Sequence, residues 1–413
     1  MKSIGEALEL IEAAFSPTGP ERLAISSALG RFIYADIASV ENLPPFTNSA
    51  MDGYAVRADE LAGAKAAQSI ALPVLGESRA GEESLADLAP GSVMRIFTGA
   101  PIPPGADAVV MQEKVERVED RASFASAPPT GANIRFEGSD LAEGEVMVAA
   151  GARVDPGAIG ILAAQGFAAV SVHRQPTVAI VSTGDELRDV GEPARPGSIV
   201  SSNAYALAAM VAEAGGIARV LPAAKDTVEA ITDTFERALE ADVVISSGGV
   251  SVGEHDHVLT AFERLGLEAG FWKVRMKPGK PLAFAKKGRV PVIGLPGNPV
   301  SAMVGFELFV RPGIRKMLGD PSPHRRRLPV TLAHPHRHSP GRPELARCKL
   351  SFESGGWKAS LQARQSSGAL TSMVGADGLV LLPAEVAELA EGTTLSAIAF
   401  RDAVGAVEPP FVG

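Results

Sequence analysis

The sequence has a single cysteine, Cys348, among its 413 residues. One thiol allows no disulfide within the chain and no cysteine-based zinc site. No stretch of about 18 or more apolar residues occurs, so no membrane-spanning helix is expected. The first residues, MKSIGEALELIEAAF, place apolar side chains at helical spacing with glutamates between them, which indicates an amphipathic helix and not a signal peptide. We therefore expect a soluble, cytoplasmic protein.

The chain also lacks an excess of positive charge. Its formal net charge is −9 and its pI is about 5.4. Partners dominated by phosphate groups require a basic face, so we expect neither a nucleic-acid partner nor a membrane partner. A local basic pocket remains compatible with this balance.

Several common catalytic motifs are missing as well. No GxGxxG follows a first strand, no GxxxxGK[ST] stands between a strand and a helix, and no nucleophile elbow is present. These absences argue against dinucleotide-binding, P-loop and serine-hydrolase readings. A hydrophobic content of 46% and a charged content of 21% are ordinary for a globular protein. The length predicts two to four domains at roughly 100–200 residues each.

The pattern of short elements changes along the chain. Residues 46–135 contain short strand-like runs between turn signals and predict a β-rich module. Residues 176–319 alternate uniformly apolar strands with amphipathic helices, which predicts a parallel sheet in a three-layer α/β domain. After a basic, proline-rich connector, short strands return between 320 and 413 and predict a small β-barrel or sandwich.

Two glycine-rich loops follow apolar strands of the α/β region. VSTGDEL (181–187) brings small residues and two carboxylates to a strand end; read alone, it favours a turn in which Asp185 or Glu186 caps a helix. SSGGVSVGEHD (246–256) has more glycine than one helix cap needs. Its backbone amides can form an anion-binding nest, and its carboxylates can hold Mg²⁺ against a phosphate.

Two further loops add positive charge and a helix terminus. KVRMKPGKPLAF (273–284) clusters three lysines and an arginine, which indicates either an anionic ligand or a solvated hairpin tip. In GLPGNPVSAM (294–303), Asn298 is a good N-cap and Pro299 a good first helical residue. The helix that follows can point its N-terminus at an anion.

Two other stretches have simpler interpretations on their own. In PPFTNSAMDGYAVR (44–57), Asp52-Gly53 is most economically a hairpin turn. His334, His336 and His338 lie among prolines and an arginine, so we interpret them as a solvated connector and assign no metal there.

The motifs together carry a specific resemblance. FTNSAMDGYAV, FTGAPIPPGADAVVMQE, STGDEL, SSGGVSVGEHD, MKPGKPLAF and GLPGNPVSA occur in this order and cover essentially the whole chain. Their order and spacing closely resemble the molybdopterin molybdenumtransferase (MoeA) family, which is also similar to the E domain of gephyrin. Any one motif alone is weak, but six in order are not.

The resemblance implies a multidomain, elongated subunit of α/β plus β class. It implies an N-terminal dimerisation and linker domain at 1–45 and 136–175, with a β-rich domain inserted at 46–135. A three-layer α/β domain of the molybdopterin-adenylyltransferase type follows at 176–319, and a C-terminal β-barrel-like domain at 320–413. Members of the family are homodimers with the active site in a cleft between subunits.

The implied reaction inserts molybdate into adenylylated molybdopterin, gives molybdenum cofactor and releases AMP, with Mg²⁺ as cofactor. Protein partners implied with it are molybdopterin adenylyltransferase and molybdoenzyme maturation proteins. The catalytic positions implied by motif are Asp52, Thr98, Asp140, Glu186, Asp226, Asp256, Lys273 and Lys277, with Glu186 and Asp256 near the metal. The implied substrate-binding positions are Arg135, Thr183, Gly184, Ser247, Gly248, Gly249, Ser251, Lys280, Pro296, Asn298, Pro299, Arg347 and Ser367.

Three alternatives stay open at this point. The chain could be a non-catalytic scaffold of the same fold, although such a protein would be free to lose the charged positions named above. It could be a molybdopterin adenylyltransferase, but that enzyme is a small protein with a GGTG-type loop where this chain has SSGGVS. A paralogue that uses tungstate is the third, because the two oxyanions are nearly alike in size and charge.

Overall fold

The N-terminal helix joins the α/β region and not the segment that follows it. The computed structural model describes residues 1–81, 86–248, 257–353 and 355–400. Helix α1 (Ile4–Glu12) begins with a capping box between Ser3 and Glu6. Its residues Ala7 and Ile11 are fully buried and pack into the same core as the α/β strands. The domain boundary at residue 45 stays a prediction, and the apolar face of this helix packs mainly against residues further along the chain.

The chain then enters the β-rich region. Strands β1 (Pro20–Ala24) and β2 (Ile37–Ala38) precede it. Its strands are β3 (Asn48–Ser49), β4 (Gly53–Val56), β5 (Ile70–Ser78), β6 (Val93–Ile96), β7 (Ala108–Met111), β8 (Val115–Val118), β9 (Arg121–Phe124) and β10 (Ile134–Arg135). Six of them form one sheet in the order β7-β4-β6-β5-β9-β8, and β3 pairs with β10. The predicted β-rich pattern is present.

A return segment closes the N-terminal region. It consists of β11 (Val146–Val148), α2 (Pro156–Ala164) and β12 (Ala169–His173). Strand β11 pairs with β2 and strand β12 pairs antiparallel with β1. The side chain of Asp155 accepts a hydrogen bond from the Ala158 N–H at 2.8 Å and caps α2. The β-rich region is thus inserted between two paired halves.

The α/β region holds the largest sheet together with helices on both faces. Its elements are β13 (Thr177–Ser182), β14 (Leu187–Arg188), β15 (Ile199–Val200), α3 (Ser202–Ala214), β16 (Ile217–Val220), α4 (Val228–Ala238), β17 (Val243–Ser247), α5 (His257–Arg264), β18 (Glu268–Lys273), β19 (Pro281–Lys287), β20 (Val290–Leu295), α6 (Pro299–Gly305) and α7 (Arg311–Met317), with a π-helical turn at Phe306–Val310 between the last two. Separate apolar cores line the two faces of the sheet, as a three-layer arrangement requires.

The sheet is mixed and not fully parallel. Its order is β16-β13-β17-β20-β19-β18; the first four strands are parallel, and β19 and β18 are antiparallel to their neighbours. The four apolar runs that predicted a parallel sheet form β13, β16, β17 and β20, and the structure adds β18 and β19, which the pattern did not predict. A short turn joins β19 to β20. Antiparallel strands need no crossover helix between them, so the alternation of strands and helices in the sequence does not indicate this pair.

The C-terminal region is a closed barrel. Its strands are β21 (Arg327–Leu332), β22 (His336–Arg337), β23 (Glu344–Glu353), β24 (Gly356–Leu361), β25 (Gly378–Leu382), β26 (Glu388–Leu389) and β27 (Thr394–Ala399). The barrel order is β21-β24-β23-β25-β27, so of the two predicted alternatives the barrel is confirmed. Cys348 lies in its core, where burial raises the pKa of the thiol to about 12. Within the described ranges, no helix is long and apolar enough to cross a membrane.

Asp242 holds the starts of two central strands together. Its carboxylate accepts hydrogen bonds from the Thr177 N–H at 2.7 Å and the Thr177 hydroxyl at 2.8 Å, and it pairs with Arg174 at 2.7 Å. Burial opposes ionisation, but the hydrogen bonds from Arg174 and Thr177 outweigh it and lower the pKa of Asp242 to about 2. The carboxylate therefore links the start of β13 to the start of β17, at the opposite edge of the sheet from the carboxyl ends of these strands.

Asp242→Asn should lower the free energy of unfolding by about 2 kcal/mol at pH 7. A depressed folded-state pKa contributes stability that is present above the unfolded value of 3.8 and is lost as the pH falls through about 2. The deficit of the variant should therefore shrink to roughly half by pH 3. Urea unfolding at both pH values checks this, with the exposed helix residue in Asp233→Asn as the control. A deficit that does not change with pH would contradict the ionic explanation.

Candidate active site

The carboxyl ends of β13, β17 and β20 meet around a cleft. Open α/β sheets bind ligands at this edge. The cleft has a volume of about 180 Å³. It is lined by Ser182, Thr183, Glu186, Leu187, Ile199, Val200, Ser201, Ser202, Asn203, Ser247, Gly248, Gly297, Asn298 and Pro299. The structure thus brings six predicted site residues together here, namely Thr183, Glu186, Ser247, Gly248, Asn298 and Pro299.

Glycines allow the first two loops to approach each other. Gly248 has φ +93°, and a Cβ there would lie 3.1 Å from the carbonyl oxygen of Thr183. Gly184 has φ +141°, and a Cβ there would lie 2.5 Å from Glu186 Oε2. A side chain at either position would be strained by the positive φ, and at Gly248 it would also be crowded by the Thr183 backbone. Main chain therefore lies exposed to a ligand at these loops, with the Glu186 carboxylate folded back over its own loop.

STGDEL does not begin a helix. The segment turns into the short parallel pair β14–β15, and α3 starts only at Ser202. The helix-capping interpretation of Asp185 and Glu186 is therefore wrong. Asp185 Oδ1 instead accepts a hydrogen bond from the Asp226 N–H at 3.2 Å, which brings the predicted Asp226 beside this loop.

Asn203 is a cleft residue that no sequence motif indicated. Its Nδ2 donates hydrogen bonds to Ser247 Oγ at 2.7 Å and to the carbonyl oxygen of Gly297 at 2.8 Å. One side chain on α3 thus connects the loops that follow β17 and β20. The polar Ser-Ser-Asn sequence at the helix start could have indicated a hydrogen-bonding side chain there, but the pattern predicted only a helix.

A larger cleft of about 520 Å³ adjoins the first. The two share Ser182, Leu187 and Ser201, and the larger one adds Gly184, Arg188, Asp189, Arg195, Tyr205 and Lys225 among its lining residues. The Tyr205 hydroxyl donates to Asp189 Oδ1 at 2.5 Å, which lowers the pKa of Asp189 and raises the pKa of Tyr205. The paired clefts combine apolar walls, an aromatic ring and charges of both signs.

The N-terminus of α6 borders the smaller cleft and contacts the barrel region. Asn298 occupies the N-cap position as predicted, but its side chain makes no capping hydrogen bond. The Val300 N–H donates instead to the carbonyl oxygen of Ser367 at 3.1 Å. Ser367 therefore contacts the N-terminus of α6 through its backbone but is not one of the residues that line the cleft. Pro296 is buried directly after β20 and does not line the cleft.

The predicted lysines have different surroundings. Lys277 pairs with Glu344 of the barrel region, with Nζ 2.9 Å from Oε2. Pro278 and Gly279 are buried, so the alternative of a solvated hairpin tip is wrong. Lys273 ends β18 half-buried, and Lys280 is exposed.

Asp52 and Thr98 form a pair in the β-rich region. Asp52 Oδ1 accepts hydrogen bonds from the Thr98 N–H at 2.8 Å and the Thr98 hydroxyl at 2.7 Å. These bonds, helped by the charge of Arg95, lower the pKa of Asp52. The guanidinium of Arg95, which no sequence motif indicated either, lies over the rings of Tyr54 and Phe97 at 5.1 and 5.2 Å. An ionised carboxylate is therefore held at the edge of this sheet.

Asp52-Gly53 is not a hairpin turn. Strand β3 pairs with β10, whereas β4 starts at Gly53 and pairs with β6 and β7. Gly53 is required for a different reason, since a Cβ there would lie 2.1 Å from the carbonyl oxygen of Val110. The close approach of two strands explains this glycine.

Arg135 and Asp140 lie near the same end of the β-rich region. Arg135 is exposed on β10, opposite Asn48, and Asp140 is exposed with its N–H bonded to the carbonyl oxygen of Leu43 at 2.9 Å. Among the described residues, no hydrogen bond or ion pair links Asp52, Thr98, Arg135 or Asp140 to the α/β clefts. The predicted site residues therefore fall into two groups within one chain.

Arg347 is buried inside the barrel region and does not face a cleft. Its guanidinium donates to Ser372 Oγ at 3.1 Å and to the carbonyl oxygens of Arg364 and Ser366, both at 3.2 Å. Burial lowers the pKa of Arg347. The expectation that this side chain reaches a substrate is corrected: Arg347 holds the loop that carries Ser367.

Metal-ligand side chains do not form a preassembled cluster in the part of the chain that the structure describes. No group of three or more His, Cys, Asp or Glu side chains there is arranged for a metal ion. Gly249, Ser251 and Asp256 lie outside the described residues. Mg²⁺ is bound through one or two carboxylates together with phosphate oxygens and waters, and the exposed Glu186 carboxylate at the cleft fits that donor chemistry.

Comparison with known proteins decides the family. Residues 2–166 match the MoeA N-terminal region (domain I and II), 179–316 match a probable molybdopterin binding domain, and 329–400 match the MoeA C-terminal region (domain IV). The chain belongs to the MoeA family.

Relatives in the MoeA family extend over most of the chain. A Mycobacterium tuberculosis protein named molybdopterin molybdenumtransferase 2 is 35% identical over 96% of this chain and 98% of its own length. A molybdopterin molybdenumtransferase from Haemophilus influenzae is 41% identical over 76% of each chain. The crystal structure of a molybdopterin biosynthesis MoeA protein from Pyrococcus horikoshii is 33% identical, with a TM-score of 0.84 over 97% of this chain and 99% of that one.

Proposed function

We propose that this protein is a molybdopterin molybdenumtransferase of molybdenum cofactor biosynthesis. It would take adenylylated molybdopterin and molybdate, and give molybdenum cofactor and AMP. The observation that carries the proposal is the glycine-rich cleft at the ends of β13, β17 and β20. This cleft lies inside the segment that matches a probable molybdopterin binding domain.

The cleft has the groups that such a substrate needs. Main chain at Gly248 can be approached closely by phosphate oxygens, Ser247 adds a hydroxyl, and Gly184 lines the adjoining larger cleft. The adjoining larger cleft offers room for the second half of an adenylylated substrate, with the ring of Tyr205 and the cations Arg188, Arg195 and Lys225 in its walls. Positive groups close to the reacting atoms hold the anions together and stabilise charge as the phosphate bond breaks.

Magnesium binding is part of the proposal. Glu186, with Asp256, would hold Mg²⁺ beside the adenylyl phosphate. The ion would neutralise phosphate charge there. Lys273, Lys277 and Lys280 would attract molybdate, and Asp226 beside Asp185 would complete the acidic side of the site.

The second group of site residues supports a site shared between two copies. Asp52, Thr98, Arg135 and Asp140 are charged or polar and not bonded to the clefts of their own chain, so we propose that they complete the site of a partner subunit. Exposed apolar side chains in the N-terminal region offer an interface: Leu29 is 60%, Val40 58% and Val146 51% exposed. The homodimer would work in the cytoplasm, between molybdopterin adenylyltransferase and molybdoenzyme maturation proteins.

The experiment that tests the function measures AMP release and molybdenum incorporation. Purified protein is mixed with adenylylated molybdopterin, molybdate and Mg²⁺. We expect both products from the wild type, and a loss of about 100-fold in Glu186→Gln, because this variant removes charge at the cleft without changing shape. Glu236→Gln, on an exposed face of α4, should retain full activity.

Three other outcomes would reject parts of the proposal. No AMP and no incorporated molybdenum would favour the scaffold. Formation of adenylylated molybdopterin from ATP would favour an adenylyltransferase, and faster turnover with tungstate would identify a tungstate-using paralogue. Gel filtration at the monomer mass would contradict the shared site.

A further inference from the structure

Glu344 is a buried carboxylate at the junction between the α/β region and the barrel. It is the first residue of β23, and its side chain is 2% exposed. Its Oε2 lies 2.9 Å from Lys277 Nζ. The backbone continues the contact, because the Lys277 N–H donates to the Pro343 carbonyl oxygen at 2.9 Å and the Leu345 N–H donates to the Lys277 carbonyl oxygen at 2.7 Å. Backbone and side chain together fix the lysine loop to the barrel region.

His338 approaches the same carboxylate oxygen as Lys277. Its side chain is 1% exposed, and Nδ1 lies 3.6 Å from Glu344 Oε2. Neither of its ring nitrogens has a hydrogen-bond partner closer than this among the described residues. The ring of His336 stacks on it at 6.3 Å. The solvated-connector interpretation is therefore wrong for His338, which lies inside the junction.

Burying the Glu344 carboxylate costs desolvation free energy, which suggests that the ion pair has a role besides stability. A buried ion pair repays its desolvation poorly, and apolar side chains of the same volume often serve folding as well. The pair here is half open, since the Lys277 side chain is 37% exposed whereas Glu344 is enclosed. The buried Glu344 carboxylate can therefore hold the partly exposed Lys277 ammonium in one position. The loop that carries it packs against α6, because a Cβ on Gly279 would lie 3.7 Å from the carbonyl oxygen of Ser301.

We propose that Glu344 is a positioning residue for Lys277, with His338 as its buried support. Glu344 occupies one donor of the ammonium and leaves the others directed away from the barrel, toward an anion. His338 keeps water away from the carboxylate and limits its movement. This inference deepens the proposed function, on which it rests for the catalytic role of Lys277. The contact between the two residues can be tested independently.

The first test measures the reactivity of Lys277 directly. Native protein is labelled briefly with acetic anhydride, and the labelled lysines are quantified by peptide mass spectrometry. Glu344→Gln keeps the side-chain volume but removes the charge, so Lys277 should react about tenfold faster in that variant. Lys349, an exposed lysine, is the internal reference, and Glu353→Gln, further along β23, is the matched control. Unchanged labelling of Lys277 in Glu344→Gln would overturn the proposal.

The second test is a double-mutant cycle in the AMP-release assay. Glu344→Gln should lower kcat about tenfold by displacing the ammonium, and Glu344→Asp should recover part of the loss. In a Lys277→Met background, Glu344→Gln should cause no further loss, since its effect acts through Lys277. Independent losses in the double variant would show that Glu344 acts by another route. Thermal melting identifies any variant that fails to fold.

The two tests separate the failure of this inference from the failure of the proposed function. A wild type that releases no AMP would reject the function, while the labelling result would still decide whether Glu344 holds Lys277. Faster labelling in Glu344→Gln together with full AMP release would reject the positioning role and leave the function standing.

Discussion

Asp52→Asn should reduce AMP release by about 100-fold or more and leave the melting temperature almost unchanged. The asparagine oxygen can still accept both hydrogen bonds from Thr98, so the local geometry survives. The negative charge is what disappears, and the hydrogen bonds that lower the pKa of Asp52 keep it ionised across the neutral range. Kinetics at saturating molybdate, together with a thermal melt, measure the two effects separately.

Asp120→Asn is the matched control for this prediction. Asp120 is an exposed acid of the same β-rich region, and its substitution should change neither activity nor melting. If Asp52→Asn loses stability in proportion to activity, the residue returns to a structural role. If it keeps full activity, Asp52 is not part of the site.

Gly53→Ala, unlike Asp52→Asn, should mainly affect stability and should destabilise the β-rich region by about 3 kcal/mol or more. The new Cβ would lie 2.1 Å from the Val110 carbonyl oxygen and 3.1 Å from Val109 Cγ1. Strand β4 would have to move away from β7, to which it is paired from Gly53 to Val56. Urea unfolding and limited proteolysis measure the loss.

Gly76→Ala provides the comparison in the same sheet. Gly76 lies on β5, and no heavy atom stands within 4 Å of a Cβ placed there. This variant should unfold like the wild type or slightly later, because alanine restricts the unfolded chain more than glycine does. Equal stability of Gly53→Ala and Gly76→Ala would disprove the steric explanation.

The features that could be predicted from the sequence are those encoded by short patterns of neighbouring residues. A strand followed by small residues is visible within a few positions, and so Thr183, Ser247 and Asn298 were assigned correctly to one edge of the sheet. The barrel and the parallel strands were predictable for the same reason, since their patterns repeat along the chain. A turn signal such as that at Asp52-Gly53 is weaker, because a turn and a close strand contact both favour glycine.

Contacts between distant positions explain the rest. Lys277 and Glu344 are 67 positions apart, and Asn203 and Ser247 are 44 apart. Nothing in the neighbourhood of either partner identifies the other. The same limit applies to His338. The prolines and the arginine near it in the sequence predict an exposed segment, although the folded chain encloses its ring.

Within the described residues, backbone hydrogen bonds connect the barrel region to the α/β region in two places. One joins Val300 at the N-terminus of α6 to Ser367, and the other joins Lys277 to the segment around Glu344. A rigid rotation of the barrel about this junction would pull on both connections at once. The helix terminus and the lysine would move together, so a displacement of the barrel would reach both groups in the same motion.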